Sequence, residues 1–406
     1  MKKLFIILTL SFLAHTSYAQ NDEDFKYMRG SLCIMMVEHP TLEFNEQIEK
    51  AFEKMPIPNR FNSHELGVRI LSFPNSDDQL ANLKIFSNEN QLAKRIVSKW
   101  FGRDKNTGAF NINLLKERGH YSATKIDVKA AMAQQRGMAV LEDLGENLIG
   151  HTYWVVNDIK YVNQGNFFKS VKDVASFAKD AVGNKTTSLE ETLGIDFEDS
   201  AIDLLDNVKG FRVKITSHLF RLKWDEETSN TFYNEYYTET PEEDADKVNG
   251  FKGDKELFKM EYVGSVTSTS SKTSVLGVTT NEQMIRKVCA RALDKNIADL
   301  QHKFADFRIK APLISVEPLK AYVGMKEDIN EKSRYEVLEA VPDERGVTTY
   351  KRVGLIKPIK DKIWDNRFMA DEEKTTEAAL DGTLFERFLA RTSTLECSFA
   401  RQNETR

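Results

Sequence analysis

A chain of 406 residues with a formal charge of -5, 29% charged residues and nine prolines suits an ordered α+β protein of two domains, with a third left open, more than a disordered linker. The mild acidity argues against a nucleic-acid binder, which needs a basic face. Three widely spaced cysteines, Cys33, Cys289 and Cys397, are no disulfide framework and leave one bridge open.

The opening stretch, MKKLFIILTLSFLAHTSYAQ, sets Lys2 and Lys3 before an apolar run from Leu4 to Ala14, with Ser17 and Ala19 at a cleavage point. This is the pattern of a secretory signal peptide over residues 1–19. The apolar run is about 11 residues, short of the roughly 20 that a spanning helix needs. No cysteine follows it to carry a lipid, and no later window is long and apolar enough to cross a membrane as a helix. The expectation is an exported protein of a Gram-negative bacterium, in the periplasm or associated with the outer membrane, with no transmembrane helix left after cleavage.

Residues 20–315 read as one mixed α/β domain. Ser31 to Glu38 (SLCIMMVE) predicts a buried strand. Phe44 to Met55 carries Phe44, Ile48, Ala51, Phe52 and Met55 at helical spacing, and Pro56 and Pro58 stop it. Leu66 to Phe73 predicts a second strand and Asn90 to Phe101 a second amphipathic helix, closed by Gly102 and the polar turn Asp104 to Gly108. Lys125 to Ile149 is helix-like with a break at Arg136 and Gly137, and Thr152 to Val162 follows as a strand. Such alternation implies a layered α/β unit. Gly165 to Asp206 breaks into short helical pieces, an insertion over the sheet.

Gly210 to Trp224 alternates cleanly, with Phe211, Val213, Ile215, Ser217 and Leu219 on one face and Arg212, Lys214, Thr216 and His218 on the other. Glu239 to Lys255 reads as an acidic loop, Leu257 to Val266 as a strand, and Ser265 to Ser274 as a Ser/Thr-rich mobile tip. Asn281 to Phe304 is the longest helix candidate. After Ser315, Arg334 to Val341 and Val347 to Ile359 flank the turn residues Pro342 to Gly346, a hairpin within a small all-β barrel over 316–370. A last amphipathic helix, Glu377 to Leu389, and a polar tail complete residues 371–406.

The segments ANLKIF, QLAKRIVSKWF, FNINLLKERG, ATKIDVKAAMAQQRG and ENLIGHTYWVVNDIKYV resemble the α/β domain shared by CsgG-like and TolB amino-terminal-like envelope proteins. GMKEDINEKSRYEVLEAV and GVTTYKRVGLIKPIK are similar to the SH3-like carboxy-terminal module of FlgT-type flagellar assembly proteins. The resemblance covers about half of the chain. It implies an α+β envelope protein in which a layered domain precedes an SH3-like barrel, with a structural or assembly role and no enzymatic one.

No motif points to chemistry. His39, His64, His120, His151, His218 and His302 are scattered without HExxH or CxxC, so neither a metal nor another cofactor is expected. Read on an extended segment, a triad of Ser122, His120 and Asp127 finds no GxSxG elbow to present the serine, and Arg118 and Gly119 more simply end one element while Asp127 helps begin the next helix. Asp104, Asn106 and Gly108 depart from the spacing of a calcium loop. The adjacent carboxylates Glu142 and Asp143 diverge on a helix and cannot face one substrate. Neither GxGxxG nor GxxxxGK[ST] occurs. Tyr335, Tyr350, Arg352, Trp364 and Arg367 supply the aromatic and guanidinium groups enriched at interfaces, although Tyr335 and Trp364 also fit barrel core. The expected partner is an envelope protein or the cell wall, and a homo-oligomer is left open. The alternatives are a secreted hydrolase with a dispersed active site and an outer-membrane pore-forming oligomer.

Overall fold

The computed structural model describes residues 30–55, 58, 61–73, 78–122, 132, 140–162, 208–275, 281–308, 310–342, 348–370, 380–390 and 397–401. The expected signal peptide, the insertion at 165–206 and the hairpin tip at 343–347 lie outside them.

The first sheet is built on β1 (Ser31–Val37), whose seven residues are all buried because helices cover both of its faces. On one side of β1 lie the two-residue strands β2 (Asn62–Ser63) and β3 (Ile70–Leu71), and on the other β4 (Thr152–Tyr161), all parallel to it. β5 (Val208–Leu222) and β6 (Met260–Val275) continue the sheet antiparallel. The Ser/Thr-rich stretch expected as a mobile tip is therefore the second half of β6. Its backbone is paired with β5 along the whole run, so a sequence with few apolar anchors is still held extended.

α1 (Asn45–Glu53) packs on one face of this sheet together with the long helix near the end of the domain, enclosing Ile34, Phe52, Val155, Ile215 and Leu219. The opposite face is covered by α2 (Gln79–Glu89), α3 (Leu92–Trp100), α4 (Ile112–Ser122) and α5 (Val140–Ile149), around Trp100, Trp154 and Phe220. α6 (Glu226–Thr231) runs into a π-helical turn at Phe232–Tyr236, and α7 (Ala245–Gly253) occupies what the sequence suggests is an acidic loop. Phe232 and Phe251 tie both to the second core.

α8 (Asn281–Lys303) is 23 residues long, roughly 35 Å at 1.5 Å per residue. Its Ile285, Val288, Ala292, Ile297 and Leu300 fill the first core. In the middle of that apolar contact sits a polar chain. Asn296 donates to the Ile215 carbonyl (3.2 Å) and to Ser217 Oγ (2.8 Å). Ser217 donates to Asn157 Oδ1 (2.6 Å), and Asn157 donates to the Met35 carbonyl (3.1 Å). All three side chains are fully buried. The chain thus crosses from α8 through β5 and β4 to β1.

The second sheet overturns the expected SH3-like barrel over Val316–Ala370. It joins β7 (Ala311–Val316), β8 (Leu319–Ala321), β9 (Tyr335–Pro342), β10 (Thr348–Pro358), β11 (Thr383–Ala390) and β12 (Cys397–Arg401). Inside 316–370 the β9–β10 hairpin is joined by the pairing of Val316 with Leu319 and by a bridge from Gly324 to Trp364, and these do not close a sheet. The order runs β10, β11, β8, β7, β12, β9 and returns to β10, so closure depends on β7 before the segment and on β11 and β12 after it. Within the expected helix Glu377 to Leu389, the described residues from Thr383 form the strand β11 instead. The boundary placed at Ser315 falls within β7. Leu319, Val337, Ile356 and Phe385 form the core of this sheet.

Two outcomes follow from these dependencies. A fragment limited to residues 316–370 should show a far-ultraviolet circular dichroism spectrum of unfolded chain, because three of the six strands are missing. Asn157→Ala should lower the free energy of urea unfolding by about 2 kcal/mol, since it leaves the Ser217 hydroxyl without its buried acceptor.

Candidate functional site

The five residues expected at an interface separate into three environments. Tyr335 is 3% exposed and meets Phe385 edge to face, so it belongs to the core of the second sheet. Trp364 and Arg367 lie beside the 3-10 turn Met325–Glu327: the Trp364 carbonyl accepts from Met325 N (2.9 Å), and Arg367 forks onto Asp365 (2.8 and 2.7 Å). Tyr350 and Arg352 stand on β10. Lys310 Nζ lies 4.3 Å from the Tyr350 ring centroid, and Arg352 Nε lies 3.3 Å from Glu336 Oε1.

Elsewhere in the same sheet the structure adds a pair that the sequence reading missed. Phe388 is 47% exposed, and the Arg334 guanidinium lies 4.7 Å from its ring centroid. Phe388 occupies the register shift between β10 and β11, where Leu355 faces Leu389 and Ile356 faces Arg387. A bulge of this kind turns a side chain out of the alternation of its strand. The sequence reading put Phe388 inside the amphipathic helix Glu377 to Leu389. Placed on a bulged strand, it faces water. Phe388, Arg334, Arg352, Glu336 and Tyr350 thus make the candidate interface.

Other polar groups are spread over the molecule. His39 Nε2 meets Asp158 Oδ1 at 2.5 Å, and Lys160 Nζ meets Asp158 Oδ2 at 2.7 Å. They sit at the carboxyl ends of β1 and β4, where open α/β sheets commonly place ligands. Burial works against the Asp158 carboxylate, yet the hydrogen bonds and charges of His39 and Lys160 hold its pKa below the ordinary value. Both oxygens are committed to these partners. A polar cavity of about 220 Å³ lies between α2–α3 and the segment after α7, lined by Ser87, Gln91, Lys94, Asp254 and Phe258 among others. Lys94 donates to the Lys252 and Asp254 carbonyls (3.0 and 2.6 Å), and burial lowers its pKa.

The residues weighed for catalysis do not converge. His120 is an exposed residue of α4, which is helical where an extended segment was assumed. The side chains of Ser122, Glu142 and Asp143, and Asp127 altogether, lie outside the described residues. Neither His120 nor His151 lines the cavity, and His151 donates instead through Nδ1 to the Asn147 carbonyl (2.7 Å). His64 is a core residue stacked on Trp100, with a pKa pushed down to about 3 by burial, so it is neutral. Asp104 accepts from Asn106 N and Thr107 N and closes a turn in which Gly108 has φ 91°. Cys33 and Cys289 are free, and burial pushes both thiols up to about 12. The side chain of Cys397 lies outside the described residues. No helix among them is long and apolar enough to cross a membrane.

The seam between α8 and the second sheet is polar. Lys326 Nζ lies 3.6 Å from Asp294 Oδ1, Arg291 donates to the Phe368 carbonyl (3.4 Å), and Arg286 lies over the Phe368 ring. Further along, Asp299, His302 and Asp328 bring three ligand-type atoms within 4.8 Å of one another. No family model matches the sequence, and no curated protein is significantly similar to it.

Burial is the largest influence on Asp294 and pushes its carboxyl up to about 6 from an ordinary 3.8, although Lys326 pulls the other way. A carboxyl that holds its proton more tightly folded than unfolded favours the fold while protonated and loses that advantage as it ionises. Its contribution is therefore expected to fall by about 2 kcal/mol between pH 3.8 and about 6. Urea-unfolding midpoints across that interval should decline more steeply in the parent protein than in Asp294→Asn.

Proposed function

We propose that this protein is an exported, non-enzymatic component of the Gram-negative cell envelope that holds a protein partner through the solvent side of its second sheet. The observation that carries this reading is the exposed Phe388–Arg334 pair, with Arg352 and Tyr350 further along the same sheet. Aromatic and arginine side chains are enriched among the few residues that dominate the energetics of interfaces. Phe388 is 47% exposed although Phe385 of the same strand is buried, so water meets about half of an apolar ring. The leader-like opening residues support export. The resemblance of the first domain to CsgG-like and TolB amino-terminal-like proteins supports an envelope assembly as the setting.

A photo-crosslinking residue introduced at Glu386, two residues before Phe388 on β11, should give a discrete adduct in intact cells, while the same residue at exposed Ile85 on the first domain should not. Phe388→Ala combined with Arg352→Ala should reduce the Glu386 adduct at least about tenfold, which corresponds to about 1.4 kcal/mol of binding. The melting temperature should stay within about 4 °C, as expected for exposed positions. Equal adducts from Glu386 and Ile85, or a Glu386 adduct indifferent to the double substitution, would remove the reading.

A further inference from the structure

Asp299 and His302 stand one helical turn apart near the end of α8, and Asp328, with φ 56°, follows the 3-10 turn that lies between β8 and β9. They present one imidazole nitrogen and two carboxylate oxygens, all within 4.8 Å of one another, and His302 Nδ1 lies 3.9 Å from Asp328 Oδ2. The two elements are held together by contacts that involve none of the three, among them Lys326 with Asp294 at 3.6 Å. The ligand set is therefore positioned by the fold. Around an ion bonded at about 2.1 Å, tetrahedral ligand atoms sit roughly 3.4 Å apart, so closing the set asks for movements on the order of an ångström from half-buried side chains.

The ligand chemistry selects the ion. Calcium and magnesium prefer oxygen-only shells, whereas an imidazole beside carboxylates suits zinc and its divalent transition-metal neighbours. The C-terminal end of a helix adds a negative potential that favours a cation. Lys295 now lies 3.3 Å from Asp299 Oδ2, and its side chain is 49% exposed, so it can turn into solvent when an ion replaces its charge.

We propose that Asp299, His302 and Asp328 form a zinc-class divalent-cation site that fastens the end of α8 to the turn between β8 and β9, with water completing the coordination. A metal bound to two elements of the folded chain and to nothing comparable in the unfolded one raises the stability of the fold.

The test is calorimetric titration of the full chain, stripped with EDTA, with zinc chloride, followed by melting curves with and without zinc. One equivalent should bind and raise the melting temperature, and magnesium and calcium chloride should bind at least tenfold more weakly. His302→Ala and Asp328→Asn should each weaken zinc at least tenfold while leaving the metal-free melting temperature unchanged, and Lys295→Ala should bind zinc as well as the parent or better. Should either variant lose its circular dichroism signature, His302→Gln serves in its place. Zinc that binds the parent and these variants alike, binds no better than calcium, or does not bind at all would overturn the proposal.

Discussion

The buried chain from Asn296 through Ser217 and Asn157 to the Met35 carbonyl constrains everything else in the first domain. An amide or hydroxyl in an apolar core must find its partner, because each one left unmatched costs about 1–3 kcal/mol. A one-residue slip of α8 would carry Asn296 about 100° around the helix and break its two hydrogen bonds together. A one-residue slip of β5 would send Ser217 to the opposite face of the sheet. Three apolar side chains could fill the same space, but they would tolerate such slips. The chain therefore fixes the rotation of α8, the β4–β5 register and, through Met35, the placement of β1.

A helix held in this way becomes a platform for the rest of the chain. α8 presents Ile285, Val288 and Leu300 to the first core, while Arg291 and Asp294 meet the turn and the 365–369 segment of the second sheet. Phe368, which follows that segment's Arg367, packs back against the first core. β7 begins a few residues after the helix ends. The second sheet is thus anchored to the first domain at its start and again after β10, and its last strands must return to close against β7 and β9. This is why no boundary at Ser315 separates an independent module.

Local patterns made much of this legible. The uninterrupted apolar run of β1, the period-two alternation of β5, the helical stripe of α8 and the β9–β10 hairpin each read correctly, because burial on one face leaves a direct imprint on residue order. β11 did not. Leu384, Phe385 and Phe388 fit a helical spacing as well as a strand, and what decides between them is pairing with β8 and β10, more than sixty residues away in the case of β8. β6 was misjudged for the opposite reason: its Ser/Thr run has little apolar signal, and its order comes from β5. The exposure of Phe388 was hidden by the same helical reading. The meeting of Asp299 and His302 with Asp328 has no spacing signature, since only the packing of α8 on the 3-10 turn brings them together.

The polar character of that packing bears on how the two parts are oriented. Burial raises the Asp294 carboxyl even with Lys326 beside it, so the pair adds little stability; buried ion pairs are generally poor at that, and a well-packed apolar seam would hold more tightly. What such groups supply is direction. Lys326 N also donates to Asn366 Oδ1 (2.8 Å), and Asn366 donates to Glu327 Oε2 (2.8 Å). The turn and the 365–369 segment are thereby locked to each other before they meet the helix. A sliding seam would break several of these directional contacts at once, whereas an apolar one would merely exchange neighbours. The solvent side of the second sheet, with Phe388 and Arg334, is for this reason carried at a set orientation relative to the first domain, as a surface must be if it is to meet a partner in one geometry.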